Sequence, residues 1–166
     1  LYTGAGSKIA IIDTGLDTEH ISFDEEAFLY AIEEDGASDL LMTEADYTGL
    51  NLHGQGVYVS AKIPYAYNYV DLNTVVTHTA VNDTQGEHGS HVAGIATANR
   101  YVKVDGEFVD AAEAVGVVGQ APDAQILVMK VFGVGGGAAD SDYFAALEDA
   151  ITMGADAANL SLGSRA

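Results

Sequence analysis

Three short apolar runs limit most strongly what this chain can fold into. They cover residues 8–12, 125–132 and 157–162, and each is bounded by Gly, Asp or Pro. Runs that are short and almost continuously apolar are typical of strands buried on both faces of a parallel sheet. A fourth run, residues 65–70, mixes polar and aromatic side chains and predicts an edge strand. A mostly parallel sheet is therefore the expected centre of the fold.

Two helical segments fit between these strands. One covers about residues 88–98, and the other begins near Ser141, where Asp140 or Ser141 can cap it, and ends at Gly154. Strands that alternate with helices predict a single three-layer α/β/α domain with right-handed crossovers. Three apolar residues of the second segment recur at helical spacing and predict one apolar face: Phe144, Leu147 and Ile151.

The chain is strongly acidic, with 25 Asp and Glu against 6 Lys and Arg and a formal net charge of −19. Such a surface repels phosphate backbones and anionic lipids, which argues against nucleic acid and membrane surfaces as partners. No run of 18 apolar residues is present, so direct membrane insertion is not expected either. Cysteine is absent, which excludes disulfides and a cysteine nucleophile.

Eleven of the acidic residues lie between Asp17 and Asp46. A solvated acidic face, with a short surface helix in residues 25–32, is the simpler interpretation. A calcium site is the alternative, because hard cations bind clustered carboxylate oxygens. The ordered D-x-D-x-D-G loop of such a site is missing from this segment.

Asp13 directly follows the first apolar run and precedes Thr14 and Gly15. In open parallel sheets the functional groups lie at the carboxyl ends of the strands. Phosphotransferases, metal-dependent phosphatases and hydrolases all place an Asp there, and an Asp that only forms the turn is a further alternative. The position of Asp13 alone leaves these alternatives open.

His88 and His91 are three residues apart on a predicted helix, so they could share a face and bind a metal. The H-E-x-x-H pattern is absent and no third ligand follows nearby, so we predict no metal site here. The small residues Gly89, Ala93 and Gly94 predict close packing of this helix against the sheet. A His at a helix start beside a buried carboxylate is better suited to act as a general base.

Two segments have the composition to bind an extended peptide. Residues 159–163, Asn-Leu-Ser-Leu-Gly, expose backbone donors and acceptors at the tip of a strand. The glycine run in residues 133–137 lets a second backbone approach closely. This run is not a phosphate loop, because no Lys-Ser/Thr follows and the glycines do not match the dinucleotide spacing.

Together these motifs resemble those of the subtilisin-like serine proteases, the subtilases of peptidase family S8. Residues 9–17 resemble the motif around that family's catalytic Asp, residues 88–94 match H-G-T/S-H-V-A-G, and residues 159–163 match N-M/L-S-L-G. The motifs also follow one another in the family's order. Three further segments resemble the lactocepin-type cell-envelope proteinases within this family: residues 62–69, 121–125 and 129–132.

The resemblance implies a serine endopeptidase with a subtilisin-like fold and an extracellular or cell-wall location. Asp13 would orient His88 and stabilise its imidazolium, and His88 would take a proton from a serine and return it to the leaving amine. Asp17 and His91 would support this pair without reacting. An extended protein or peptide substrate would lie between two segments, with Leu162 lining a hydrophobic pocket: Ser161, Leu162 and Gly163 on one side, and Gly135, Gly136 and Gly137 on the other.

The chain departs from the family at the nucleophile. The family's serine lies in a G-T-S-x-x-x-P helix start far downstream, and none of the eight serines here has that context. The oxyanion-hole Asn is also downstream, and Asn159 belongs instead to the substrate strand. Ser22 stands where calcium-binding subtilases place an Asp ligand, so their best-known calcium site is not expected, although a full-length enzyme could bind Ca²⁺ elsewhere.

We therefore expect residues 1–166 to be the amino-terminal part of a subtilase catalytic domain, incomplete on its carboxyl-terminal side. The missing part would be its partner, and the isolated chain should be inactive. A sheet cut after its substrate strand leaves an unpaired edge, which predicts self-association. Two rival functions remain. A non-catalytic peptide-binding module would need neither Asp13 nor His88, and a doubly wound phosphate-handling enzyme using Asp13 lacks its D-x-D-x-T and Walker patterns.

Overall fold

The computed structural model describes residues 2–163 and shows a parallel sheet between two layers of helices. Within these residues the sheet has four strands in the order β2-β5-β1-β6, and all its paired strands are parallel. An antiparallel hairpin, β3–β4, forms a separate two-stranded sheet. The strands are β1 (Lys8–Asp13), β2 (Tyr65–Asn68), β3 (Tyr101–Val104), β4 (Glu107–Asp110), β5 (Gln125–Lys130) and β6 (Ala157–Asn159).

Helices cover both faces of the sheet. Successive side chains of β1 point to opposite faces, so each helix layer packs against a different set of them. Ala10 and Ile12 pack with Ala146 and Ala150, whereas Ile11 packs on the opposite face with Ala93. None of the described helices is long and apolar enough to cross a membrane. The helices are α1 (Glu25–Glu34), α2 (Glu44–Tyr47), α3 (His88–Thr97), α4 (Ala111–Ala114) and α5 (Asp140–Thr152).

The predicted α/β fold is confirmed, with small differences at the ends of the elements. The strand predicted over residues 157–162 forms its ladder only over Ala157–Asn159, where it pairs with β1. β5 stops at Lys130, two residues earlier than predicted. β2 lies at the edge of the sheet, as its mixed composition indicates, although all four of its residues are buried.

The predictions for α5 are wrong in two details. Asp140 is the first helical residue, and Ala139 occupies the N-cap position, where no side-chain hydrogen bond caps the helix. The predicted apolar face points outward at both ends, since Phe144 is 54% and Ile151 69% exposed. The face toward the sheet carries two small residues instead, Ala146 and Ala150. Alanines at these positions allow the helix to lie close to the strands.

Lys62 is a fully buried lysine just before β2. Its Nζ donates to the carbonyls of Pro122 and Ala124 at 2.7 and 2.9 Å. A neutral amine has two N–H groups and satisfies both carbonyls, whereas an ammonium has a third donor to pair. Burial lowers the pKa of Lys62 to about 7, against the opposing effect of the negative charge on Asp123.

We expect the free energy of unfolding to rise as the pH is raised from about 7 to about 9. Below pH 7 the folded chain must bury a charged Lys62. Above it the folded amine is neutral, while the unfolded lysine keeps its proton up to its ordinary pKa of 10.5. The unfolded state therefore binds more protons in this window, which gives a slope of up to about 1.4 kcal/mol per pH unit.

Denaturant titrations at pH 7 and 9 measure this slope, and Lys62→Met should flatten it. Lys8→Met is the matched control, because Lys8 is partly exposed and its Nζ lies 3.5 Å from Asp156 Oδ2. It should keep the wild-type slope. Equal slopes for the wild type and Lys62→Met would show that the pH dependence of stability does not come from Lys62.

Candidate active site

Asp13 and His88 meet at the carboxyl end of β1. His88 Nδ1 lies 2.8 Å from Asp13 Oδ1, although 75 residues separate the two in sequence. The Asp13 side chain is completely buried, whereas that of His88 is 51% exposed. The arrangement is a fixed carboxylate behind a half-exposed imidazole.

The contact defines which nitrogen of His88 carries the proton. An ionised carboxylate only accepts hydrogen bonds, so Nδ1–H must donate and Nε2 keeps its lone pair. Asp13 Oδ1 also accepts the backbone N–H of Thr14 at 2.7 Å. Asp13 Oδ2 is buried and has no hydrogen-bond partner among residues 2–163. The pair can therefore accept a proton at Nε2 and place the resulting positive charge beside a carboxylate.

Gly89 allows helix α3 to start directly against the turn after β1, and Gly15 allows that turn to lie against the backbone of Val76. Gly15 has a φ of +103°, and a Cβ there would lie 1.9 Å from the carbonyl oxygen of Val76. A Cβ on Gly89 would lie 2.1 Å from the carbonyl oxygen of Gly15. The N–H of Gly89 instead donates to Thr14 Oγ1 at 2.8 Å. This close approach, predicted from Gly89 and Ala93, brings His88 within reach of Asp13. The same prediction was wrong for Gly94, where a Cβ would meet nothing within 4 Å.

The two predicted substrate segments follow the strands on either side of β1. After β5, residues 133–137 form a turn closed by a bridge between Phe132 and Ala138, in which Gly133 is buried and residues 134–137 are exposed. Gly136 accepts a hydrogen bond from Gln85 Nε2 at 2.8 Å, which ties this turn to the loop before His88.

After β6, Ser161 and Gly163 are exposed and Leu162 is half-buried. Leu162 packs against the hydrophobic cluster under α5. Because parallel strands end at the same edge of a sheet, the turn after β5 and the segment after β6 flank the end of β1.

Comparison with known proteins identifies the group to which this chain belongs. Residues 4–166 match the sequence profile described as the subtilase family. The chain is a subtilase. This agrees with the family predicted from residues 9–17, 88–94 and 159–163.

Curated relatives support the same assignment. The subtilase chain is 37% identical over 169 residues to the PI-type proteinase of Lactococcus lactis subsp. cremoris, covering 98% of this chain and 8% of that protein. It is 32% identical to the minor extracellular protease Vpr of Bacillus subtilis (strain 168), covering 98% of this chain and 14% of that protein. The C5a peptidase of Streptococcus pyogenes serotype M3 (strain ATCC BAA-595 / MGAS315) is also 32% identical, with 98% and 12% covered. The chain thus spans only a small part of these relatives' length.

Asp17 and His91 of the subtilase chain lie beside the pair rather than in it. Both line a cleft of about 820 Å³ on the side of helix α3. The N–H of Asp17 donates to Ser90 Oγ at 2.9 Å, and Ser90 Oγ donates to Glu87 Oε2 at 2.7 Å. Within residues 2–163 no hydrogen bond joins Asp17 or His91 to Asp13 or His88. Asp17 instead helps to fix the first turn of α3.

Sequence reasoning missed a buried charged group behind the pair. Lys130 Nζ donates to the carbonyl of Thr14 at 2.6 Å and to Asp83 Oδ2 at 2.5 Å, and both charged side chains are fully buried. Asp83 Oδ1 lies 2.7 Å from Nδ1 of His78. The signal in the sequence was a lysine at the end of an apolar strand. Once that strand is placed beside β1, Lys130 is paired in register with Asp13 and must find a buried partner.

Ser22 and Asp24 are engaged in contacts within the fold. Ser22 supplies a buried hydroxyl in place of a carboxylate, and Asp24 Oδ1 caps α1 by accepting the N–H of Ala27 at 2.9 Å. Among residues 2–163 no three His, Asp or Glu side chains lie close enough to hold a metal ion. The acidic segment is a solvated surface that contains helix α1, as its composition predicts.

Proposed function

We propose that this chain supplies the Asp and His of a serine endopeptidase. The observation that carries the proposal is the 2.8 Å contact between the buried Asp13 and the half-exposed His88. Membership of the subtilase family supports it, since three relatives bear the names proteinase, protease and peptidase. A binding module would gain nothing from this pair, and a phosphate-handling enzyme would need an accessible Asp13.

His88 acts as the general base and then as the general acid. Its Nε2 takes the proton of the attacking serine hydroxyl and later delivers that proton to the leaving amine. Asp13 holds the ring in the required tautomer and stabilises the imidazolium in between. The serine and the oxyanion-hole side chain come from sequence outside these 166 residues. Ser90, the serine nearest to His88 in sequence, already donates to Glu87.

The substrate is an extended protein or peptide chain held beside β1. Ser161, Leu162 and Gly163 pair with it on one side, and Gly135, Gly136 and Gly137 approach it on the other. The exposure of Gly135, Gly137, Ser161 and Gly163 supports this binding. Both backbone groups of Gly136 are already engaged, the N–H with Gly133 and the carbonyl with Gln85. The enzyme acts outside the cell or at the cell wall. The printed name of the Bacillus relative, an extracellular protease, agrees with this location.

The purified 166-residue chain should not hydrolyse peptides, because an Asp–His pair alone lacks a nucleophile. A fluorogenic peptide library measures this, with the complete protease containing this chain as the positive control. The complete protease should show turnover that His88→Ala removes. If the 166-residue chain hydrolyses peptides and His88→Ala abolishes this activity, the serine does not come from outside the chain as proposed. If hydrolysis by the complete protein does not depend on His88, the proposed function is wrong.

A further inference from the structure

Lys130 and Asp83 form a buried ion pair that lies between the two halves of the site. Lys130 is the last residue of β5 and pairs in register with Asp13 on β1. Asp83 belongs to the loop that leads into α3. Both side chains are fully buried, so their charges must be compensated inside the protein.

Each partner also holds the backbone of one half of the site. Lys130 Nζ donates to the carbonyl of Thr14, the residue that follows Asp13. Asp83 Oδ1 accepts the N–H groups of Gln85 and Gly86 at 2.9 and 3.1 Å, three and two residues before His88. A continuous set of hydrogen bonds thus connects the strand that carries Asp13 to the loop that positions His88.

A second connection runs parallel to the first. Thr14 Oγ1 donates to the carbonyl of Gly86 at 3.1 Å and accepts the N–H of Gly89 at 2.8 Å. Burial alone would raise the pKa of Asp83, but hydrogen bonds from Lys130 and His78 outweigh it and lower the pKa. Asp83 is thus held as a carboxylate that accepts from four groups, a fixed anchor for the loop.

We infer that Lys130 and Asp83 are positioning residues that set the distance between Asp13 and His88. This inference rests on the proposed function and adds two residues that touch neither substrate nor nucleophile. Their removal should loosen the entry to α3 and lower the fraction of molecules with a productive Asp13–His88 contact. A displacement of about 1 Å at such a pair costs about 100-fold in rate.

The test removes both charges together, because a single deletion leaves its partner buried and unpaired. In the complete protease, Lys130→Met/Asp83→Asn should lower kcat by about 10- to 100-fold while KM changes less than about threefold. Arg100→Met/Asp123→Asn is the matched control. This control removes a 3.0 Å ion pair whose carboxylate is buried and which lies at the other end of β5. Because that pair is far from Asp13 and His88, kcat should stay within about threefold of the wild-type value.

A second measurement does not depend on proteolysis. Diethyl pyrocarbonate modifies accessible imidazoles, and peptide mapping gives the rate for each of the five histidines in the 166-residue chain. In Lys130→Met/Asp83→Asn the rate at His88 should rise at least about threefold relative to His53, an exposed reference paired with Glu148. The Arg100→Met/Asp123→Asn control should leave this ratio unchanged.

Lys130→Gln/Asp83→Asn keeps the test decisive if the first double variant does not fold. Its two amides remove both charges together but retain hydrogen-bond donors and acceptors at both positions. A fall in kcat of at least about threefold at constant KM would support positioning. Unchanged kcat and unchanged His88 reactivity would overturn it. If the complete protein shows no His88-dependent hydrolysis, the proposed function fails, while the His88 modification rate still decides the positioning role.

Discussion

His88→Ala should lower kcat of the complete protease by about 10⁶-fold, the size of loss caused by removing the triad histidine of a subtilase. The reason is that no other described group contacts Asp13 in a position to take the serine proton. Asp13→Asn should cost about 10⁴-fold, because the amide favours the wrong tautomer of His88. Peptide hydrolysis under single-turnover conditions measures both losses.

His53→Ala is the matched control for these variants. His53 also contacts a carboxylate, with Nε2 2.7 Å from Glu148 Oε2, but both side chains are more than half exposed on the surface. Its replacement should change kcat by less than about twofold, since exposed ion pairs contribute little. A His88→Ala variant that keeps a tenth of the wild-type kcat would disprove the role assigned to His88.

Gly89→Ala should lower kcat by about 100-fold and destabilise the fold by about 1–3 kcal/mol. The added methyl would lie 2.1 Å from the carbonyl oxygen of Gly15. Because that oxygen belongs to the backbone, it cannot rotate out of the way as a flexible side chain could. The first turn of α3 must then move away from β1 and take His88 with it. Thermal unfolding and peptide hydrolysis of the same preparation separate the two effects.

Gly94→Ala provides the comparison on the same helix. A Cβ at Gly94 meets nothing within 4 Å, so the substitution should stabilise the helix by up to about 1 kcal/mol and leave kcat unchanged. If Gly89→Ala behaves like Gly94→Ala, the close approach of α3 to β1 does not position His88.

The sequence reveals the site residues that lie in local motifs and misses those that meet only in the fold. Asp13 and His88 were named as a pair because residues 9–17 and 88–94 resemble the family's motifs, whereas the position of Asp13 at the end of an apolar run left its role open. Lys130 and Asp83 are 47 residues apart, and neither stands in a pattern that indicates its partner. Their contact exists because β5 lies beside β1, an arrangement set by the packing of the whole sheet.

The error at α5 has a similar cause. Helical spacing grouped Phe144, Leu147 and Ile151 on one apolar face, but only Leu147 packs against the core, and the other two are exposed. The two small side chains at Ala146 and Ala150 let the helix approach the sheet more closely, so they occupy the buried side. Helix positions were therefore better predicted than helix orientation.

The position of β1 between β5 and β6 also determines when the site can form during synthesis. More than a hundred residues must follow Asp13 before either neighbouring strand exists, because β1 pairs with Gln125–Lys130 and then with Ala157–Asn159. At translation rates of about 5–20 residues per second, this delay is on the order of 10 s. Asp13 therefore leaves the ribosome well before the strands on either side of it, and it gains its buried environment only near the end of this segment. The contact between Asp13 and His88 gains its buried setting only after β5 and β6 have been synthesised.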